Sequence, residues 1–277
     1  MDLGIADKVA FCSGGSKGIG FAAAQQLAAE GCRVAVVARD RAGIEKAVET
    51  IRAAGGKAIG VSADLVSNDG VDAAVAQVTK ELGEPEIVVG QTNDLTFGGF
   101  LDVPPHEFEK VFKIFTMSQI YLAYATVPAM RRRKWGRYIH IGSTNGKEAQ
   151  LTHPTIIHNT VRPSTVAFLR VMANEVAADG VTVNVVAPGL TLTPTLKDYI
   201  ANGLKLDAEG GKAWLRDEFP EGIMSPHGLQ GPPRIPMKRA GEPEEAGSLV
   251  AYLASQQAGY ITGTWTPVDG GKHAFTF

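Results

Sequence analysis

Val9–Gly20 reads VAFCSGGSKGIG, and this stretch decides the fold of the chain. Its first four residues are an apolar run that is typical of a buried parallel strand. The chain then turns through glycines and continues as a helical pattern over residues 20–30. Strand, glycine turn and helix in this order let the backbone approach a pyrophosphate, whose charge then lies at the helix N-terminus. The stretch therefore predicts a dinucleotide-binding turn.

Six further apolar runs follow, and helical patterns separate them. The runs predict strands at 33–38, 58–62, 86–89, 138–142, 181–187 and 263–268. The patterns between and beside them predict helices at 41–54, 70–82, 163–178 and 243–255, and one long helix or two at 106–130. This alternation indicates right-handed βαβ units. We therefore expect one α/β domain over residues 1–277, a Rossmann-like doubly wound parallel sheet of about seven strands with helices on both faces.

Composition and charge narrow the classes of partner. The chain has 277 residues, of which 44% are hydrophobic and 20% charged, as in ordinary soluble domains. Its net charge of −2 provides no bulk attraction to nucleic acid or to an anionic membrane. We expect a cytoplasmic protein without either partner, because no apolar run is long enough to span a bilayer. Cys12 and Cys32 lack metal or redox spacing, and we expect no metal site.

Several motifs extend the pattern beyond the glycine turn. Residues 136–143 read GRYIHIGS, residues 180–189 read GVTVNVVAPG, residues 236–245 read PMKRAGEPEE, and residues 268–271 read VDGG. Together with SGGSKGIG at 13–20, their order resembles the short-chain dehydrogenase/reductase family. The resemblance covers nearly the whole chain. It implies an oxidoreductase that transfers hydride between a nicotinamide cofactor and its substrate.

The resemblance also implies which residues contact the cofactor. In the family, the glycine turn holds the pyrophosphate, an acidic turn after the third strand contacts adenine, and a PGxxxT turn cradles the nicotinamide amide. The corresponding positions here are Gly14, Ser16, Lys17, Gly18, Ile19, Gly20, Asp64, Leu65, Gly90, Pro188, Gly189, Thr191 and Thr193.

The end of the second predicted strand indicates which dinucleotide is bound. An acid there would accept a hydrogen bond from a ribose 2′-hydroxyl and repel a 2′-phosphate. Arg39 stands there instead, with Lys17 in the glycine turn, and both charges suit a 2′-phosphate. The alternative is that both are ordinary surface charges, and Asp40 could weaken the preference or pair with Arg39. We expect NADP rather than NAD.

The catalytic positions depart from the family. The family uses a serine, a Tyr-x-x-x-Lys pair and an asparagine on a central helix. Counting from the neighbouring motifs places Ser143 at the serine, His158 at the tyrosine and Arg162 at the lysine. Phe115 falls at the asparagine. The catalytic candidates are therefore Ser143, His158 and Arg162.

His158 is the candidate for proton transfer, because imidazole donates or accepts protons near neutral pH. Arg162 should disfavour the imidazolium and bias His158 toward a neutral donor or a base. A pocket role without proton transfer is the alternative for His158, and His153 is a second candidate for the proton-transfer group. Pro163 predicts that residues 158–162 are partly uncoiled, because proline restricts the residue before it.

Three functions remain open. The first is an NADP-dependent oxidoreductase acting on a carbonyl compound or a secondary alcohol. The others are a non-redox enzyme of the same fold, such as a C–C or C–X bond hydrolase, lyase or isomerase, and a catalytically silent nucleotide-binding relative. The intact glycine turn favours the first function, whereas the altered catalytic positions favour the other two.

Two further expectations concern the substrate and assembly. Residues 194–236 predict a substrate lid, whose apolar content indicates a bulky or ring-bearing carbonyl substrate. The helices at 106–130 and 163–178 carry more apolar positions than one sheet face needs. We therefore expect a homodimer or homotetramer. The apolar positions concerned are Phe115, Tyr121, Tyr124, Phe168 and Val171.

Overall fold

Seven parallel strands form the sheet in the computed structural model, which describes residues 2–94, 96, 98–149, 155–198, 235–237 and 239–273. The strands are β1 (Val9–Ser13), β2 (Arg33–Ala38), β3 (Lys57–Ser62), β4 (Ile87–Gly90), β5 (Gly136–Ile141), β6 (Val181–Pro188) and β7 (Trp265–Val268). Their spatial order is β3-β2-β1-β4-β5-β6-β7. The order reverses between β1 and β4, which opens the crevice where such sheets bind nucleotides. The predicted doubly wound Rossmann-like sheet is confirmed.

Helices pack on both faces of this sheet. They are α1 (Gly18–Ala29), α2 (Arg41–Ala53), α3 (Asn68–Glu81), α4 (Pro105–Phe112), α5 (Ser118–Arg133), α6 (Ile156–Val176), α7 (Pro194–Asp198) and α8 (Pro243–Ala254). A π-helical turn, Lys113–Met117, joins α4 to α5. Residues of α1, α2 and α8 pack in one apolar cluster, and residues of α3, α5 and α6 pack in the other.

Strand β1 illustrates how the sequence builds both clusters. Side chains alternate between the two faces of a strand. Ala10 and Cys12 belong to the cluster with α1, and Val9 and Phe11 belong to the cluster with α3. All five residues of β1 are buried. Four of the five are apolar, as burial on both faces favours, and the hydroxyl of the fifth, Ser13, donates to the carbonyl of Gln91.

Helix α6 corrects the expectation drawn from Pro163. The helix begins at Ile156, so His158 and Arg162 lie in its first two turns rather than in uncoiled chain. Pro163 lies inside the helix, where it has no N–H to donate to the carbonyl of Asn159. The prediction of uncoiled chain at 158–162 was wrong.

Packing explains why the helix continues through the proline. Buried apolar side chains anchor α6 on both sides of Pro163, namely Ile157, Val161, Leu169 and Met172. The hydroxyl of Thr116 lies 2.9 Å from the Ser164 hydroxyl and 3.0 Å from the Thr165 hydroxyl, which fixes the π turn against α6. These tertiary contacts outweigh the local preference of one residue.

Some predicted features lie wholly or partly outside the described residues. His153 is outside them, and so is most of the predicted lid at 194–236, of which only α7 and residues 235–236 are described. Within the described part, none of the helices has the length and apolar character that crossing a membrane requires.

The surface of α5 and α6 corrects one residue of the assembly prediction. Phe115 is 1% exposed and packs inside the protein, so it cannot contribute to a surface between subunits. Tyr124 and Val171 are 75% and 58% exposed and stand free on their helices. The homodimer or homotetramer remains a prediction that rests on these two residues and their neighbours.

Candidate active site

The glycine turn lies at the carboxyl end of β1. Gly14 and Gly18 have φ angles of 61° and 58°, in the left-handed region that residues with a side chain rarely adopt. A Cβ atom on Gly20 would lie 2.4 Å from the carbonyl oxygen of Gly14. The turn therefore closes only with glycine at these positions, as the sequence predicted.

Helix α1 starts directly after this turn with an open N-terminus. Its N-cap residue, Lys17, makes no capping hydrogen bond with its side chain, and the first turn contains no acidic residue. The first amide N–H groups of a helix have no partner within the helix and attract anions. Helix α1 thus presents donors and the positive end of its dipole where the pyrophosphate is expected.

The segment after β4 lies against the glycine turn. The Ser13 hydroxyl donates to the carbonyl of Gln91 at 2.9 Å, and the Gln91 N–H approaches that hydroxyl oxygen at 2.7 Å. The Gln91 Oε1 atom lies 2.4 Å from the position that a Cβ on Gly20 would occupy. Among the described residues, neither Gln91 Oε1 nor Thr92 Oγ1 has a hydrogen-bond partner, although both atoms are buried. Such atoms are uncommon in proteins, and here they fit a ligand in the crevice.

The two cations predicted to contact a 2′-phosphate lie at the surface. Arg39 and Lys17 are both exposed, and neither forms an ion pair with another described residue. Asp40 forms no ion pair with Arg39 in the described part of the chain. Its Oδ2 atom lies instead at the start of α2, 2.8 Å from the position that a Cβ atom on Gly43 would occupy. The Cβ atom of Ser16 is 3.6 Å from that same position, so the glycine turn and the end of β2 are neighbours.

The two residues predicted to contact adenine, Asp64 and Leu65, follow β3. The Asp64 carboxylate accepts a hydrogen bond from the Val66 N–H at 3.3 Å, and Leu65 is buried beneath this turn. The N–H of Ala63 donates to the carbonyl of Ala38 at 2.9 Å, which holds the turn beside the end of β2. Asp64 and Leu65 therefore lie next to the segment that carries Arg39.

The PGxxxT turn, residues 188–193, begins at the end of β6 and lies against both β7 and the glycine turn. Gly189 passes so close to β7 that a Cβ on it would lie 2.6 Å from the Cβ of Asp269, and its N–H donates to the carbonyl of Val268. Thr193 Cγ2 lies 3.2 Å from the Cβ position of Gly18. Residues predicted from two distant motifs thus meet at the glycine turn. Pro188 ends β6, Ile19 and Thr191 are buried, and Gly90 ends β4.

Ser143 follows β5 and is connected to α6 by two asparagines. Its hydroxyl donates to Asn145 Oδ1 at 3.0 Å, and Asn145 Nδ2 donates to Asn159 Oδ1 at 2.7 Å. Asn159 follows His158 in α6, so the network connects Ser143 to the helical turn that carries His158. The sequence analysis missed both asparagines, whose only signal was their place beside the two candidates.

Phe115 brings the other candidates together. Its ring meets the His158 ring edge-on, with 5.7 Å between centroids and 66° between planes. The Arg162 guanidinium carbon lies 4.1 Å from the centroid of the Phe115 ring. His158 and Arg162 are four residues apart and share one face of α6. The π turn that supplies Phe115 is a feature frequent at functional sites, and the sequence did not indicate it.

Burial keeps His158 neutral. It lowers the pKa of His158 to about 4, with the Arg162 guanidinium as the second cause. Asp94 and the backbone of Thr96 act in the opposite direction. The expected influence of Arg162 on His158 is confirmed in direction, but burial contributes more. Burial also lowers the pKa of Arg162, to about 10, so the guanidinium stays charged at neutral pH.

His140 is a second buried histidine at the site, and the sequence analysis missed it. Its Nδ1–H donates to the carbonyl of Gly90 at 2.9 Å. Burial lowers the pKa of His140 to about 4, and Arg162 adds to this effect. The available signal was its place in GRYIHIGS, where the family pattern GRIVNISS has asparagine. Arg162 is thus accompanied by two neutral imidazoles.

Comparison with known proteins identifies the family. A family model described as short chain dehydrogenase matches residues 8–202, and one described as enoyl-(acyl carrier protein) reductase matches residues 230–273. The chain belongs to the short-chain dehydrogenase family. Its relatives include named reductases, and the chain is accordingly an oxidoreductase.

Relatives and solved structures match over nearly the full length. The short-chain reductase protein NovJ of Streptomyces niveus is 31% identical over 268 residues, which cover 96% of this chain and 94% of that protein. The 3-oxoacyl-(acyl-carrier-protein) reductase FabG of Pseudomonas aeruginosa is 30% identical over 271 residues, covering 98% and 99%. The structure of L-sorbose reductase from Gluconobacter frateurii, complexed with NADPH and L-sorbose, has a TM-score of 0.89 at 29% identity and covers 100% of both chains.

Proposed function

We propose that this protein is an NADP(H)-dependent oxidoreductase that interconverts a carbonyl compound and its secondary alcohol. The observation that carries the proposal is the glycine turn with its open helix N-terminus, beside the unpartnered Gln91 Oε1. A dinucleotide supplies the phosphate and polar atoms that these groups require. Ser143 follows β5 and is connected to α6, which carries His158, through Asn145 and Asn159.

NADP(H) is the cofactor because of the charges at the ribose end. Arg39 and Lys17 are exposed and unpaired within the described part, so they are available to a 2′-phosphate. Two structural neighbours support this choice: the L-sorbose reductase structure contains NADPH, and so does that of actinorhodin polyketide ketoreductase, at a TM-score of 0.84 and 26% identity.

The neutral state of His158 determines which proton transfers it can perform. When bound, NADPH supplies hydride to the carbonyl carbon, and NADP+ accepts hydride from the alcohol carbon in the reverse direction. For alcohol oxidation, His158 accepts the hydroxyl proton, and its neutral ring is ready to do so at pH 7. For reduction, His158 must first be protonated, and with a pKa of about 4 only about one molecule in a thousand is protonated at pH 7.

Ser143 can hold the substrate oxygen in either direction. Its hydroxyl donates to Asn145 Oδ1 at 3.0 Å, and its oxygen accepts from the Asn145 N–H at 3.3 Å. The single hydroxyl proton of an alcohol goes to His158, so the Ser143 hydroxyl must turn from Asn145 Oδ1 and donate to the substrate oxygen, as it must for a carbonyl. The neutral ring of His158 therefore supports oxidation of an alcohol at neutral pH and reduction of a carbonyl at lower pH.

The substrate proposed is a bulky or ring-bearing compound. Phe100 and Leu101 are 80% and 90% exposed in the segment between β4 and α4. Gly98 of this segment forms a β-bridge with Thr155, directly before α6. An apolar rim thus stands near the helix turn that carries His158.

Labelled cofactor tests the function directly. The protein is incubated with NADPH deuterated at the transferable position and with a panel of aromatic ketones, and the alcohols are analysed by mass spectrometry. Deuterium in the product alcohol, with a matching loss of absorbance at 340 nm, is the expected result. Conversion by protein stripped of cofactor, without change at 340 nm, would instead establish the non-redox alternative.

A further inference from the structure

Two arginines behave differently in this protein. Arg137 on β5 is buried and donates hydrogen bonds to three backbone carbonyls, those of Ser255, Gly136 and Gly180. Arg162 on α6 is partly buried, has no hydrogen bond and no ion pair within the described residues, and lies over the face of Phe115 at 4.1 Å. A guanidinium carries five N–H donors, so that of Arg162 is available to a ligand.

The groups around Arg162 do not compensate its charge. His158 and His140 are neutral, and Phe115 is apolar. The acid that acts on Arg162, raising its pKa, is Asp94. Its Oδ1 atom accepts the Thr96 N–H at 2.7 Å, and its Oδ2 atom lies 4.0 Å from the Lys110 Nζ atom. Asp94 is therefore engaged elsewhere and forms no ion pair with Arg162.

We propose that Arg162 binds a carboxylate of the substrate, so that the substrates are 2-oxo acids and the corresponding 2-hydroxy acids. This inference rests on the proposed function and specifies its substrate class. The planar guanidinium matches a carboxylate with two parallel hydrogen bonds, and stacking on Phe115 fixes its plane.

The spacing along α6 supports this class. Residues four apart on a helix present their side chains to the same small region. When the reacting oxygen of a ligand meets His158 and Ser143, we expect a group attached to the carbonyl carbon to reach Arg162. In a 2-oxo acid, the group attached there is the carboxylate. The competing occupant is the ribose of the cofactor, which would offer neutral hydroxyls and leave the charge uncompensated.

A binding experiment separates the two occupants without requiring turnover. Phenylacetate and phenylacetamide differ in charge but hardly in shape, and calorimetry measures their binding to the NADP+-loaded protein. We expect phenylacetate to bind about tenfold tighter or more, as a lost charge-assisted pair predicts. Arg162→Gln should abolish this preference, and Arg162→Lys should keep part of it as a point charge. NADP+ affinity should change little in either variant.

A turnover experiment tests the substrate class. We expect phenylglyoxylate to exceed its methyl ester in kcat/KM by about tenfold or more with NADPH, and Arg162→Gln to bring the two close together. Arg170→Gln is the matched control, because Arg170 lies on the same helix, is exposed and donates to Asn174. This control should leave both preferences unchanged. Circular dichroism and thermal melting of each variant verify folding.

The outcomes separate this inference from the proposed function. Equal binding of phenylacetate and phenylacetamide would overturn the carboxylate site. So would a loss of NADP+ affinity in Arg162→Gln as large as the loss of phenylacetate affinity, because Arg162 would then serve the ribose. A carboxylate preference in binding, without hydride transfer to any carbonyl compound, would support the site and overturn the proposed function.

Discussion

The glycine turn after β1 and the first turns of α6 are the two halves of the proposed site, and they relate to the sequence in different ways. In the turn, backbone geometry leaves no choice: Gly14 and Gly18 adopt positive φ, and a side chain on Gly20 would collide with the backbone. On α6, the proposed chemistry depends on side chains, because the neighbouring motifs align His158 and Arg162 with the family's tyrosine and lysine. If these residues carry the proposed reaction, the fold and the glycine turn have persisted while the reacting groups changed.

The largest expected effect is on the α6 half of this comparison. His158→Phe keeps an aromatic ring against Phe115 but removes the proton acceptor, so kcat/KM should fall by about 10²–10⁴ in either direction. NADPH affinity, measured by fluorescence titration, should stay within about twofold, because the glycine turn is untouched. Unchanged turnover in His158→Phe would break the comparison, since the proton-transfer group would then lie elsewhere.

The difference between the two halves also explains how far the sequence could be interpreted. Glycine positions and apolar runs follow from local sterics and burial, so the sheet, the turn and the placement of Arg39 were predictable. The start of α6 before Pro163 was not predictable. It depends on contacts of Thr116 with Ser164 and Thr165, and these residues are distant from Thr116 in the sequence. The state of His158 and the presence of His140 depend on burial, which a residue's type does not reveal.

The pH dependence of turnover sharpens the comparison further. A folded-state pKa of about 4 for His158 means that its protonated fraction rises about tenfold for each unit that pH falls from 7 to 5. Initial rates of carbonyl reduction should rise in the same proportion, about 10² over that range, while rates of alcohol oxidation should stay nearly level. A tyrosine-like profile, in which oxidation increases steadily above pH 7, would contradict the role of a neutral imidazole.

The free energy of unfolding should depend on pH through both buried histidines, His140 and His158. Their folded-state pKa values of about 4 lie below the ordinary value of 6.5, so the unfolded chain binds more protons between these limits. Stability is therefore fully present above pH 6.5 and falls as pH drops toward 4, by roughly 2 kcal/mol per histidine at pH 5. Urea unfolding at pH 7 and pH 5 measures this loss.

His140→Asn isolates one share of that loss, because asparagine does not titrate in this range. The variant should lose roughly 2 kcal/mol less than the unmodified protein between pH 7 and pH 5. His106→Asn is the matched control, because it makes the same substitution at an exposed position on α4. An identical pH dependence in His140→Asn and the unmodified protein would show that the pKa of His140 is the same in the folded and the unfolded chain.

The smallest expected effect is on the cofactor half, where one exposed charge determines a preference rather than the reaction. Arg39→Ala removes a charge-assisted contact to the 2′-phosphate, so NADPH should bind about tenfold more weakly while NADH affinity changes little. Arg41→Ala is the matched control, because Arg41 is also exposed but is the first residue of α2 rather than the residue that follows β2. Fluorescence titration of all three proteins with both cofactors measures the difference. Equal binding of NADPH and NADH by the unmodified protein would mean that Arg39 and Lys17 are ordinary surface charges. The glycine turn would then bind a dinucleotide without distinguishing the one that carries a 2′-phosphate.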